Sequence, residues 1–430
     1  MTSWARALIL CGLCVAILSL ERFGYYGMRS VLPLRLMDSA APANQVFKQL
    51  SLVTTFGALC PLLGGVLAVA LRAPLTAAAG MLVMLVGYVL LPLSSGTGGA
   101  LAGFGIVVLG GGLLKPAVYG LCASELSHRH SALRVAVFVA LYGGVNVAAL
   151  LATTGSGAVS RAANTTPVLV AALAVCVVAL VLSLAVVGVD FGLRNKRPAP
   201  EADDPDPGRG LLFAAALLLV SVPYGLALGL SGDFWEVLVK AGLSASRVGA
   251  LVSINPIVVT LCSAVLLCGL VVLHFTGARI SMLYLPAAGL CVVALGATPY
   301  VAAAGMGATS EVTVSAAIVL MAIGEAMVGP VLLGLAVGHV PRRFAPLAAG
   351  VWLATAYIPS YLMHLVFGDA PGARTALLAL CAGACLVCGL GALAVAHRVA
   401  RFLHPEPPAA AEAGTDVPAT GGSDTLVSAQ

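Results

Sequence analysis

Apolar residues run along this chain in blocks of about twenty, separated by shorter segments that collect most of the charged residues and many of the prolines. A helix needs about 20 mostly apolar residues to cross about 30 Å of hydrocarbon. Twelve blocks meet that length, at roughly 7–36, 48–70, 75–95, 99–122, 134–158, 167–189, 211–232, 246–272, 280–303, 313–337, 346–367 and 375–397. The pattern therefore predicts an all-α membrane protein with 12 transmembrane helices. The first block begins like a secretory signal, with Arg6 ahead of Ala7 to Leu20, but Glu21 and Arg22 stand where a small-residue cleavage site would follow. The apolar pattern then resumes, so the block is read as an uncleaved first span.

Composition agrees. Hydrophobic residues are 60% of the chain and charged residues 9%, with a mean hydropathy of +1.05, whereas soluble domains carry about 25% charge. The lipid bilayer is the partner this implies, and the net charge of +5 gives no reason to expect nucleic acid. The eleven cysteines fall mostly inside apolar runs, as Cys381, Cys385 and Cys388 do; without His or acidic companions at ligand spacing they read as packing residues, so neither metal nor cofactor is expected. No nucleophile–base pair or H-E-x-x-H motif suggests an enzyme.

Lys and Arg in alternate loops set the orientation. One side holds Arg6, Arg72, Arg129, Arg134, Arg194, Lys196, Arg197, Arg209, Arg279, Arg342, Arg343, Arg398 and Arg401; the other holds Lys48, Arg161, Lys240, Arg247 and Arg374, with Arg35 at its boundary. This places both termini in the cytoplasm, in a cell (plasma or inner) membrane. The long cytoplasmic connection divides the spans six and six. It implies an N-terminal six-helix bundle (1–190), a cytoplasmic linker (191–209), a C-terminal six-helix bundle (210–402) and a disordered tail (403–430) rich in Ala, Pro, Glu and Gly. Two six-helix bundles joined this way resemble the major facilitator fold, whose halves rock about a site near the bilayer midplane.

Five ionisable residues lie well inside the spans: Glu21, Arg22, Arg29, Lys115 and Glu325. Each costs at least about 2.5–3.5 kcal/mol at bilayer depth on insertion scales, so they should face the bundle interior or a wet cavity. At about 100° per residue, Glu21, Tyr25, Arg29, Arg22 and Tyr26 fall near 0°, 40°, 80°, 100° and 140°, one sector of the first helix. Interhelical salt bridges would explain some of these groups. Their spread over three helices and both halves favours a polar cavity. Lys115 sits in GGGLLKP, where the glycines permit close helix approach and Pro116 frees a backbone carbonyl. Asn146 and Asn255 are lone amides that either tie helices together or line a site, and Asp233 and Glu236 lie near the outer end of the seventh span.

At these residues the chain resembles the proton-dependent oligopeptide transporter family of the major facilitator superfamily. ERFGYYGMR (Glu21 to Arg29) is similar to its first-helix E-x-x-E-R-F-x-Y-Y-G-x-R, GGGLLKP to its fourth-helix G-x-G-x-F-K-P, and FVALYGGVNVAAL to its fifth-helix F-Y-x-x-I-N-x-G-x-L. Asn255-Pro256 matches an eighth-helix N-P, and the segment holding Glu325, Pro330, Pro341 and Trp352 its tenth and eleventh helices. The resemblance implies proton coupling and carboxylate recognition at Glu21, Arg22 and Lys115, and capture of a peptide's amino terminus by Glu325. It also implies cavity positions at Tyr25, Arg29, Asn146, Asn255 and Trp352, with Tyr26 in the same sector. Two departures stand out. Leu18 replaces the first glutamate of the motif, and the seventh-helix gating acids are missing from YGLALGLSG, leaving Asp233 and Glu236 as gate candidates.

The expected function is a secondary transporter that moves di- or tripeptides, or similar small zwitterions, with protons. One alternative keeps the fold but carries another carboxylate, anion or peptide-like metabolite without standard proton coupling. Another is a membrane solute sensor that transports nothing.

Overall fold

The computed structural model describes residues 3–37, 43–94, 96–126, 131–163, 165–192, 207–232, 245–277, 280–306, 310–367 and 371–403. Asp233, Glu236, most of the linker and the tail lie outside them. The described chain is helical almost throughout, because inside a bilayer each backbone N–H and C=O must find its partner within the segment. The helices are α1 (Ser3–Met37), α2 (Ala43–Gly57), α3 (Cys60–Leu71), α4 (Ala73–Leu93), α5 (Thr97–Glu125), α6 (Ser131–Ala163) and α7 (Thr166–Gly192). They continue with α8 (Pro207–Gly232), α9 (Ala245–Thr276), α10 (Tyr284–Met306), α11 (Glu311–Gly338), α12 (Ala345–Phe367) and α13 (Pro371–Leu403). A 3₁₀ turn, Arg342–Phe344, leads into α12.

Among the described residues, 11 helices are long and apolar enough to cross a membrane. The second expected span is interrupted where α2 gives way to α3 around Ala58 and Leu59, just ahead of Pro61 at the start of α3. The large apolar side chains left exposed, such as Leu219, Val265 and Val387, are those a bilayer would cover. The chain is a multi-pass membrane protein.

Packing follows the glycines. In one half α4 lies on α5, and a Cβ at Gly80 would fall 2.8 Å from the Gly110 carbonyl, while one at Gly87 would fall 2.7 Å from the Gly103 carbonyl. In the other half α10 lies on α11, and a Cβ at Gly324 would fall 2.9 Å from the Gly289 carbonyl, while one at Gly296 would fall 2.8 Å from the Met321 nitrogen. Such contacts let two backbones touch where larger side chains would hold them apart. Gly80 and Gly87 on α4 have the same spacing as Gly289 and Gly296 on α10. Gly110 likewise precedes Pro116 on α5 at the spacing of Gly324 and Pro330 on α11. The third and fourth spans are thereby repeated as the ninth and tenth.

The two halves meet through α6 against α9 and α11, and through α12 against α3 and α5. Among the described residues, the tightest of these contacts gather at the end of the bundle that carries the start of α1, where Arg6 reaches Glu125 of α5 at 2.9 Å. Here Pro346 at the head of α12 sits on Gly120, whose Cβ would lie 2.3 Å from Pro346 Cγ, and a Cβ at Gly350 would lie 2.4 Å from the Pro61 carbonyl. At the same end Arg72, the positive-φ residue (84°) that turns α3 into α4, binds Asp190 of α7 and lies over Phe191.

Candidate functional site

The first helix places its charges as a pair. Arg22 donates from Nε and Nη2 to both oxygens of Glu21, a fork-to-carboxylate geometry that satisfies much of what burial would otherwise cost. Glu21 is 2% and Arg22 8% exposed. The guanidinium lies 4.5 Å from the Tyr25 ring centroid and 5.8 Å from that of Tyr26, positions in which the ring faces attract a cation. The space for the carboxylate comes from Gly111 on α5, whose Cβ would stand 3.1 Å from Glu21 Oε1. Lys115, one turn further along α5, is half-buried and within electrostatic reach of both Arg22 and Glu21. Leu18 is buried on the preceding turn of α1. The expected sector is therefore real for Glu21, Arg22, Tyr25 and Tyr26. Arg29, by contrast, about two turns nearer the far end of α1, is exposed.

A second cluster straddles the halves around Glu325 of α11. Tyr142 of α6 donates to Glu325 Oε1, and Asn255 of α9 donates from Nδ2 to Oε2 at 2.9 Å. Tyr224 of α8 reaches the backbone carbonyl of the same residue at 3.5 Å, and its hydroxyl would meet a Cβ at Gly329 at 3.0 Å. Asn146 turns its amide onto the Tyr142 carbonyl, four residues back on α6, at 2.9 Å; it thus supports the helix that carries Tyr142. Trp352 is buried at 5% exposure. In the matching of α4–α5 with α10–α11, Gly111, which cradles Glu21, corresponds to Glu325, the residue after Gly324. One carboxylate lies in each half.

Neither Tyr142 nor Tyr224 stands out in the sequence as a partner of Glu325. Arg134 was counted with the loop charges. It is in fact buried at 2% exposure in α6 and donates from Nη1 to the Gly338 carbonyl of α11 at 2.8 Å. It thus caps a helix of the opposite half at the closed end, where a cation meets the carbonyl dipole favourably. A lone Arg at the head of an apolar run carries no sign of such a partner 204 positions away.

No family model and no curated protein matches the chain. Solved structures do. The POT family transporter PepTSo is 15% identical with a TM-score of 0.61, covering 91% of this chain and 98% of its own. The peptide transporter POT in complex with sulfate is 19% identical with a TM-score of 0.60, covering 94% and 99%. FucP, a major facilitator superfamily transporter solved in the outward conformation, is 13% identical with a TM-score of 0.67, covering 90% and 99%. Over nearly its whole length, then, this chain has the major facilitator fold, twelve transmembrane helices in two six-helix bundles.

Proposed function

We propose that the protein is a secondary transporter that carries a small zwitterion, with di- and tripeptides the leading candidates, by alternating access. The observation that carries this reading is the placement of Glu325. A carboxylate at mid-span, hydrogen-bonded from α9 of its own half and from α6 of the other, has no role in lipid and marks an interior polar site. The first half offers it a complement in two basic side chains, Arg22 and Lys115, beside the one acid Glu21. A solute with an ammonium at one end and a carboxylate at the other can bridge the two.

Arrival of an ammonium at Glu325 competes with Tyr142 for Oε1, which loosens a bond that ties the halves together. A carboxylate approaching Arg22 and Lys115 competes with Glu21 for the guanidinium. Glu21, once released from the guanidinium, is the group that accepts the proton. Solute binding, proton uptake and movement of the halves are thereby linked through shared hydrogen-bond partners, and a ligand moves such an equilibrium only through contacts that differ between states. The Lys and Arg bias would make the end at Gly120 and Pro346 cytoplasmic, so the conformation described is closed toward the cytoplasm.

The test is uptake into proteoliposomes with and without an imposed proton gradient. Accumulation of a dipeptide driven by the gradient supports the reading in full, whereas absence of both uptake and counterflow for every dipeptide tried rejects peptides as cargo. Leu18 favours a second reading. With apolar bulk in place of the motif's first glutamate, the same site would serve a facilitator that moves its solute without protons, and counterflow insensitive to the gradient would identify it.

A further inference from the structure

Tyr88 of α4 is 1% exposed, and its hydroxyl has no hydrogen-bond partner among the described residues. Buried phenols nearly always find one, since an unmade bond costs the full desolvation of the group. The hydroxyl is also specifically placed. It lies beside Gly24, whose Cβ would stand 3.2 Å from Oη, and Gly24 follows Glu21 by about one helical turn on the same face of α1. Met84, one turn before Tyr88 on α4, would lie 3.9 Å from a Cβ at Gly111, the residue that cradles the Glu21 carboxylate. Glu21, Arg22 and Tyr25 of α1 and Cys176 of α7 face the phenol electrostatically, and Lys115 of α5 faces Glu21 and Arg22. In this state Arg22 occupies both Glu21 oxygens, which leaves the phenol idle.

We infer that Tyr88 is a positioning residue for Glu21, donating its O–H to the carboxylate when Arg22 turns away toward a bound anionic group. The inference rests on the proton-coupled reading above. Tyr88 keeps its proton throughout; the proton that moves comes from water and resides on Glu21. A hydrogen bond to the charged carboxylate favours that form, so the phenol keeps Glu21 from holding its proton too tightly and lets it leave on the far side. The hydroxyl without a partner in the paired state is then the donor kept for the unpaired one.

Tyr88→Phe removes only the hydroxyl. The pH midpoint of gradient-driven uptake should rise by about one unit, the scale of one charge-assisted hydrogen bond. Counterflow, which needs no net proton release, should stay within about twofold, and thermal stability should hold or improve. Gly24→Ala, which crowds the hydroxyl, should move the midpoint the same way by less. An unmoved midpoint in Tyr88→Phe overturns the assignment, as does a loss of stability and counterflow together, which would mark a purely structural tyrosine. Glu21→Gln separates this failure from that of the reading it rests on. If that variant keeps wild-type gradient-driven uptake, proton coupling at Glu21 itself is wrong.

Discussion

Two side chains hold the Glu325 carboxyl group in its setting, Tyr142 on Oε1 and Asn255 on Oε2. Glu325→Gln keeps the shape and removes the charge, so the affinity for solutes with a free amine should fall roughly 10- to 100-fold, the scale of one hydrogen bond to a charged group. Competition binding with amine-bearing and N-acetylated peptides reads this directly; equal affinity for the two in both proteins would count against the role. Leu18→Glu places a second carboxylate beside the Glu21–Arg22 pair. It should steepen the pH dependence of uptake, and an unchanged profile would show that position 18 is not the missing proton site. At this scale the sequence singled out Glu21, Arg22, Lys115 and Glu325 as charges in apolar runs, yet it set the exposed Arg29 beside them. It was silent on Tyr142 and Tyr224, because a tyrosine is as much at home in an apolar helix as in a site, and only the partner across the interface distinguishes the two.

The helices show why the fold was legible and its closure was not. Span lengths follow from bilayer thickness, so eleven of the twelve expected spans meet the length and hydropathy a crossing needs within the described residues, and the twelfth is present as α12. The repeat was harder to see. It is written in the spacing of glycines and a proline between α4–α5 and α10–α11, while the side chains around them have diverged. The seam at the closed end likewise depends on pairs distant in sequence, such as Gly120 with Pro346. Gly120→Ala would bring a methyl within 2.3 Å of Pro346 Cγ and 2.6 Å of its nitrogen, against a helix head with little room to yield. The population closed at this end should fall. Spin labels on Ala70 and Arg343 should show a longer-distance population growing in the variant, and an unchanged distribution would mean that the seam tolerates the methyl.

For the whole molecule the proposed function rests on an acidic site in one half, at Glu325, and basic side chains in the other, Arg22 and Lys115 beside Glu21. Arg134 on Gly338, Pro346 on Gly120 and Phe138 against Gly334 hold one end shut, and Tyr142 on Glu325 ties the same halves at the site itself. On the proposed function, occupying the site and releasing the closed end are parts of one rearrangement. The most direct test is the uptake of one radiolabelled dipeptide by proteoliposomes in competition with three relatives: the N-acetylated form, the C-terminal amide and the doubly blocked form. The account predicts that the free dipeptide competes well, each singly blocked form at least about tenfold worse, and the doubly blocked form not at all. Equal competition by the doubly blocked peptide would contradict it.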